Sequence, residues 1–173
     1  MPELLLLRHA KSDWKDKTLG DFDRPLAARG RRAAALMGRL LAEEDLAPDL
    51  VLCSTARRAV ETVELLLTAL ASAPETNYLK TLYLAPPSRL LTVLRRQGTD
   101  HGRILLVAHN PGLHHLAVAL AGGQGAAGRL LTEKFPTAAL ARFRVEDWPA
   151  LGQNPARLLA FVRPRDLEGA EKT

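Results

Sequence analysis

What this 173-residue sequence holds least of is sulfur and aromatic surface. Its single cysteine, Cys53, excludes an internal disulfide framework and fits a reducing compartment. Aromatic residues make up 5% of the chain, as two Trp, two Tyr and four Phe. That is too sparse a set to interleave with bases, so the formal charge of +5 does not indicate nucleic acid. The arginines are spread along the chain rather than gathered in a block. No apolar run approaches the roughly 18 residues of a membrane span. Met1-Pro2-Glu3 ahead of four leucines makes no secretory signal, and the expected location is the cytoplasm. Internal repeats, low-complexity tracts and linkers are also missing, so residues 1–173 are expected to form one domain.

What is present is an ordinary globular composition, 47% apolar and 25% charged, in a chain long enough to bury a core without staples. The organising stretch is Leu4 to Ser12, LLLLRHAKS. Four leucines are too short a run for a useful helix and end abruptly at a basic pair. They read as a central strand covered on both faces. Arg8 and His9 then fall at its carboxyl end, where open α/β sheets place their ligands. A guanidinium beside an imidazole suits a phosphate, although the dipeptide alone is equally a surface pair ending a strand.

Along the chain, Ala10 to Phe22 reads as a loop. Ala33, Leu36, Met37, Leu40 and Leu41 recur with helical spacing and predict a helix from Pro25 to about Glu44. Leu50 to Cys53 is a second strand. Ala59, Thr62, Val63, Leu66, Leu67 and Leu70 mark the inner face of the helix that follows. Asn77 to Leu84 is a candidate third strand, followed by a helix through Leu90, Leu91 and Leu94 to Gln97. Ile104 to Ala108 is a further strand, closed by His109-Asn110-Pro111-Gly112, with a helix through Leu113, Leu116, Ala117 and Leu120. Beyond a Gly-rich loop, Ala139 to Val145 and Leu158 to Val162 are late strands, and the chain from Pro164 is expected to fray. Alternating strands and helices predict an α/β fold, a three-layer α/β/α sandwich on a mostly parallel sheet.

Three strand ends in this scheme carry basic groups: Arg8-His9, Arg57-Arg58 and His109-Asn110. In a parallel sheet such ends share one edge, so residues a hundred positions apart can converge. Arg57 and Arg58 also oppose the helix dipole in a first turn, at about 0.3 to 1 kcal/mol each when exposed. An anion bound there would remove that conflict.

These pieces together resemble the histidine phosphatase, or phosphoglycerate mutase-like, superfamily. Arg8-His9-Ala10 is similar to its Arg-His-Gly signature. Arg24-Pro25-Leu26 followed by Gly30 is similar to its Arg-Pro-Leu segment. Ser54, Arg58-Ala59 and Thr62 match its Ser-x-x-x-Arg-Ala-x-x-Thr pattern and select Arg58 over Arg57. His109 falls where the family has its second histidine. The short length and the Arg-His-Ala-Lys-Ser opening look most like the SixA-type phosphohistidine phosphatases. The resemblance implies a phosphatase without metal or cofactor, in which His9 is the nucleophile and carries the phosphoryl group. It also implies that Arg8, Arg58 and His109 hold the phosphoryl oxygens, with Arg24 as a further contact. The implied substrate is phosphohistidine in a protein, acted on by a monomer or weak dimer. The alternatives are a small-molecule phosphomonoesterase of the same superfamily and a non-catalytic phosphate- or phosphoprotein-binding module.

Two departures from the family stand out. Ala10 replaces glycine, and no carboxylate lies between Leu79 and Leu94, where many relatives carry an acidic proton donor. Asp13, Asp16, Asp21 and Asp23 on the first loop are the candidate substitutes. A phosphomonoester needs its leaving alkoxide protonated, whereas a phosphoramidate nitrogen can take its proton from solvent, so the missing acid points to phosphohistidine. Other motifs are weaker. Cys53 and Arg58 have four residues between them, one short of a cysteine-phosphatase loop. Gly123, Gly125 and Gly128 form G-x-G-x-x-G without the required strand before or long helix after, and read as loop. His109, His114 and His115 lack a zinc-site frame, with His114 and His115 expected on a helix surface.

Overall fold

The computed structural model describes residues 1–123 and 125–168. Six strands form one sheet in the order β3-β2-β4-β1-β5-β6. They are β1 (Glu3–Arg8), β2 (Leu50–Ser54), β3 (Glu75–Leu79), β4 (Arg103–Ala108), β5 (Leu140–Arg144) and β6 (Arg157–Val162). The first four pair in parallel, and β5 runs antiparallel to both β1 and β6. The helices are α1 (Ala28–Glu43), α2 (Arg57–Leu67), α3 (Pro87–Gln97), α4 (Gly112–Ala121), α5 (Gly125–Glu133) and α6 (Pro164–Glu168).

The four leucines of β1 are fully buried and divide between two cores because side chains alternate across a strand. Leu4 and Leu6 pack with Leu90 and Leu94 of α3, Leu113 and Leu116 of α4 and Leu131 of α5. Leu5 and Leu7 pack with Met37 and Leu41 of α1 and Val63 and Leu66 of α2. Helices therefore cover both faces, in three layers, and burial of each leucine contributes about 1.5–3 kcal/mol. β1 and β4 are neighbours, yet the chain leaves β1 toward the α1–α2 face and leaves β4 toward the α3–α4 face. That divergence opens a crevice at their carboxyl ends, the switch point where such sheets bind ligands.

Four sequence expectations need correction. The helix predicted from Pro25 begins at Ala28, because Leu26 bridges antiparallel to Ser12 and donates its N–H to Glu61 Oε2 at 2.8 Å. The third strand runs Glu75–Leu79 rather than Asn77–Leu84: its partner β2 ends where Ser54 faces Leu79, and a 3-10 turn takes over at Lys80–Leu82. The Gly-rich segment expected as loop contains helix α5, anchored by the fully buried Leu131. The tail from Pro164 starts as helix α6, where the Asp166 carboxylate accepts from the Arg163 N–H at 2.9 Å and Nη2 at 2.8 Å. The remainder of the expected frayed tail, 169–173, lies outside the described residues. No helix among the described residues is long and apolar enough to cross a membrane.

Candidate active site

His9 directly follows β1 and His109 directly follows β4, so the parallel register of these strands brings the two rings together, 5.0 Å between centroids. Arg58, in the first turn of α2, reaches between them. Its Nε lies 3.3 Å from His9 Nε2, and its Nη2 lies 3.3 Å from His109 Nδ1. The guanidinium is 3% exposed, whereas its neighbour Arg57 is 53% exposed and pairs with Glu61. The family pattern and the fold thus select the same arginine. Thr62 fixes the arrangement: its hydroxyl donates to the Arg58 carbonyl at 2.6 Å and accepts the Ala10 N–H at 3.0 Å.

Hydrogen bonding sets the tautomers. His9 Nδ1 sits 2.8 Å from the Ala10 carbonyl, which only accepts, so Nδ1 carries the proton and Nε2 keeps its lone pair. His109 Nδ1 faces a guanidinium, which only donates, so its Nε2–H donates to Ser54 Oγ at 2.7 Å. Burial, outweighing the Ala10 bond, and the charges of His109, Arg58 and Arg8 bring the His9 pKa down to about 3. Burial and the Arg58 and Arg8 charges, against an opposing pull from Asp21, bring His109 to about 3 as well. Both rings are neutral at pH 7. Burial and the Arg58 charge also lower the Arg8 pKa.

Arg8 donates from Nη1 to the Phe135 carbonyl at 3.1 Å, which leaves its buried Nε without a partner. Arg24 does not reach the histidines. It donates to Ser12 Oγ and, at 2.7 Å, to Asp21 Oδ1, and its guanidinium carbon lies 3.4 Å over the Trp14 ring. Of the four candidate aspartates, Asp21 is the one the structure brings to the site. Its Oδ2 takes Arg58 Nη2 at 3.1 Å and the Tyr83 hydroxyl, and its backbone carbonyl takes Arg58 Nη1 at 2.7 Å. Burial raises the Asp21 pKa. The Tyr83 and Arg24 bonds and Arg58's charge and hydrogen bond outweigh it and hold the carboxyl well below its usual range. Asp13 and Asp16 spend their carboxylates on turn N–H groups of Lys15 and Thr18.

The sequence reading assigned no site role to Tyr83, Phe22 or Leu84. Tyr83 packs edge-on against His109 at 5.4 Å and carries Phe22 on its other side at 5.1 Å. Leu84 beside it is 54% exposed with φ +49°, a strained conformation for a bulky residue. Asn110 donates to the Phe135 carbonyl at 3.0 Å. Two glycines let backbones meet at the rim: a Cβ on Gly30 would collide with the Lys11 carbonyl, and one on Gly112 with the Ala85 carbonyl. Cys53 is buried, and burial together with the Glu64 charge raises its pKa, so the thiolate is disfavoured there. His115 is exposed, and His114 is half-buried with Nε2 2.7 Å from the Leu131 carbonyl.

An imidazole lone pair facing the Arg58 guanidinium, within the field of the Arg8 charge, can attack a phosphorus atom that such cations hold. Comparisons with known proteins agree with that chemistry. The sequence pattern of the histidine phosphatase superfamily (branch 1) matches residues 4–80. An uncharacterised Mycobacterium tuberculosis protein is 40% identical over 163 residues, 92% of this chain and 100% of that one. A putative phosphohistidine phosphatase SixA from Agrobacterium tumefaciens superposes with TM-score 0.80 at 30% identity, over 95% of this chain and 99% of that one. A second putative SixA, from Nakamurella multipartitia, gives 0.81 at 28% identity, over 94% and 96%. On the fold, the paired histidines and these relatives, the chain belongs to the histidine phosphatase superfamily and is a SixA-like phosphatase.

Proposed function

We propose that this phosphatase removes phosphate from phosphohistidine in proteins through a covalent phosphohistidine on His9. His9 Nε2 forms a bond to phosphorus as the P–N bond to the substrate imidazole breaks, and the bonding pair leaves with that imidazole. The second nitrogen of the leaving ring takes a proton from solvent near neutral pH, so the ring departs neutral. Nucleophile and leaving group are then the same chemical species, and the transfer needs no strong acid. In the second step the oxygen of water bonds to phosphorus as the P–N bond to His9 breaks, the bonding pair returns to His9 Nε2, and the water's protons stay on the phosphate or pass to solvent. Arg8, Arg58 and His109 offset the charge on the phosphoryl oxygens. Arg24 acts as a positioning residue through Asp21.

The observation that carries the choice of substrate is Asp21. It is the carboxylate bonded to Arg58, and three donors hold it as an anion. A group so held is a poor acid, and loss of general-acid assistance slows a phosphomonoester by about 10²–10⁴-fold. The buried thiol of Cys53 fits a reducing compartment, and we place the protein in the cytoplasm. The test is rapid quenching during turnover of a labelled phosphodonor. Acid-labile, base-stable label should appear on the wild-type chain and vanish in His9→Ala. Phosphohistidine should exceed simple sugar phosphates in kcat/KM by at least about a hundredfold. Equal turnover would return the protein to the monoesterases, and absence of label would make it a binding module.

A further inference from the structure

Next to the histidines lies a groove of about 430 Å³ that the chemistry above does not use. Two of the segments that line it adjoin the residues of the candidate site. Lys11 stands two residues beyond His9. Phe135 turns its carbonyl to Arg8 and Asn110, and Ala138 gives its N–H to the Arg8 and His9 carbonyls at 3.0 and 3.2 Å. Between them, Pro136 and Thr137 line the groove, so one short segment backs the catalytic pair and faces the groove as well. The close approach of Gly30 to the Lys11 carbonyl brings Arg29, at the start of α1, to the same wall. β6 runs parallel to β1 through β5, so its carboxyl end supplies Arg163 and Arg165 from the same sheet edge.

Charge and floor define what fits. Five cationic side chains line the groove against the two acids Glu133 and Glu168. Arg163 is engaged by Asp166, but the side chains of Lys11, Arg29 and Lys134 hold no hydrogen bond or ion pair among the described residues. The floor is aliphatic, formed by Ala33, Pro136 and a Leu130 that is 40% exposed. Among the described residues no aromatic ring lines it, which removes the stacking platform that single-stranded nucleic acid uses. A phosphoryl group alone would leave most of this volume empty, since pockets of this size hold far larger ligands.

We infer that the groove is the docking channel for an acidic, aliphatic segment of the phosphoprotein substrate, next to its phosphohistidine. The inference rests on the substrate reading above and adds where the protein part of the substrate lies. Its test uses the full chain and the charge-reversal variant Lys134→Glu with Arg165→Glu, two exposed positions outside the phosphate pocket. The substrates are a short Glu/Leu peptide bearing one phosphohistidine, its Lys/Leu counterpart and free phosphohistidine. The variant should raise KM for the Glu/Leu peptide about tenfold, leaving kcat and turnover of free phosphohistidine unchanged. Added salt should do the same to the wild type and little to the variant. The milder Lys134→Ala with Arg165→Ala should show a smaller shift of the same sign and guards against misfolding. Equal losses on peptide and free phosphohistidine, or no preference between the two peptides, would overturn the inference. So would tighter binding of an RNA oligonucleotide than of the Glu/Leu peptide. Fluorescence anisotropy of the unphosphorylated Glu/Leu peptide reads the groove without chemistry. Binding that charge reversal abolishes, in a chain that turns over no phosphohistidine, would keep the groove and sink the proposed function.

Discussion

At the end of the sheet where β1 begins, Glu3 lies between Arg142, 2.7 Å away, and Arg103, 3.0 Å away. Arg103 also donates to the Asp45 and Ala47 carbonyls, and the Asp49 carboxylate takes the Gly102 and Arg103 N–H groups. Both carboxylates are engaged there. At the end where β1 stops, Arg24 and Arg58 share one carboxylate, Asp21, while Arg8 donates to the Phe135 carbonyl. Among the described residues, the buried side-chain polar atoms left without a partner are Arg8 Nε, Arg24 Nε, Thr55 Oγ1 and Asn110 Oδ1. All four belong to segments leaving that second edge. One end closes its charges to hold the fold, and the other keeps positive potential uncompensated, as an anion site requires.

The contrast breaks most readily at Arg58. Arg58→Ala should lower kcat by about 10³-fold, read by steady-state kinetics on phosphohistidine, with stability close to wild type. An equal fall in melting temperature would mean that this edge is structural like the other. Glu3→Gln should do the reverse, losing about 2 kcal/mol in urea denaturation with kcat unchanged. That figure is discounted because both arginines keep about a quarter of their surface in water.

Acid separates the two ends more finely. The native histidine pKa values near 3 lie below the ordinary 6.5, so between those values the unfolded chain binds protons that the folded chain refuses. Stability should therefore fall as pH drops below 6.5, by at most about 1.4 kcal/mol per pH unit for each histidine. Burial raises the Glu3 pKa, but the Arg142 and Arg103 hydrogen bonds and charges lower it further, to a net value below 4.5. Its contribution is present above 4.5 and is lost only in stronger acid. Urea midpoints from pH 7 to 4 should show His9→Asn flattening the first limb and Glu3→Gln leaving that limb untouched. The smallest expected effect is at Leu84. Leu84→Gly, relieved of its φ of +49°, should gain about 1 kcal/mol in melting experiments. A loss would show that the leucine packs better than its exposure suggests.

Much of this was legible in the sequence because it is local. Four leucines and a basic pair locate β1 and the sheet edge, and the resemblance to the family's Ser-x-x-x-Arg-Ala-x-x-Thr pattern separates Arg58 from Arg57. The role of Asp21 was not legible: it meets Arg58 across 37 residues and Tyr83 across 62, through turns with no periodic pattern. The choice among four loop aspartates therefore needed coordinates. The end of β3 depended on where its partner β2 stopped, and α5 hid behind glycines that outweighed one buried leucine.

Gly112 and Gly30 have a consequence for how the enzyme discriminates. Each joins the first turn of a helix to the loop across from it, so the Tyr83 loop travels with His109 and the Lys11 loop with α1. Contacts this close tie the mouth's two sides to the helices behind them. Selectivity in such a catalyst falls to the surfaces flanking the opening. Two chains with the same residues at the strand ends would then differ in clientele through those flanks.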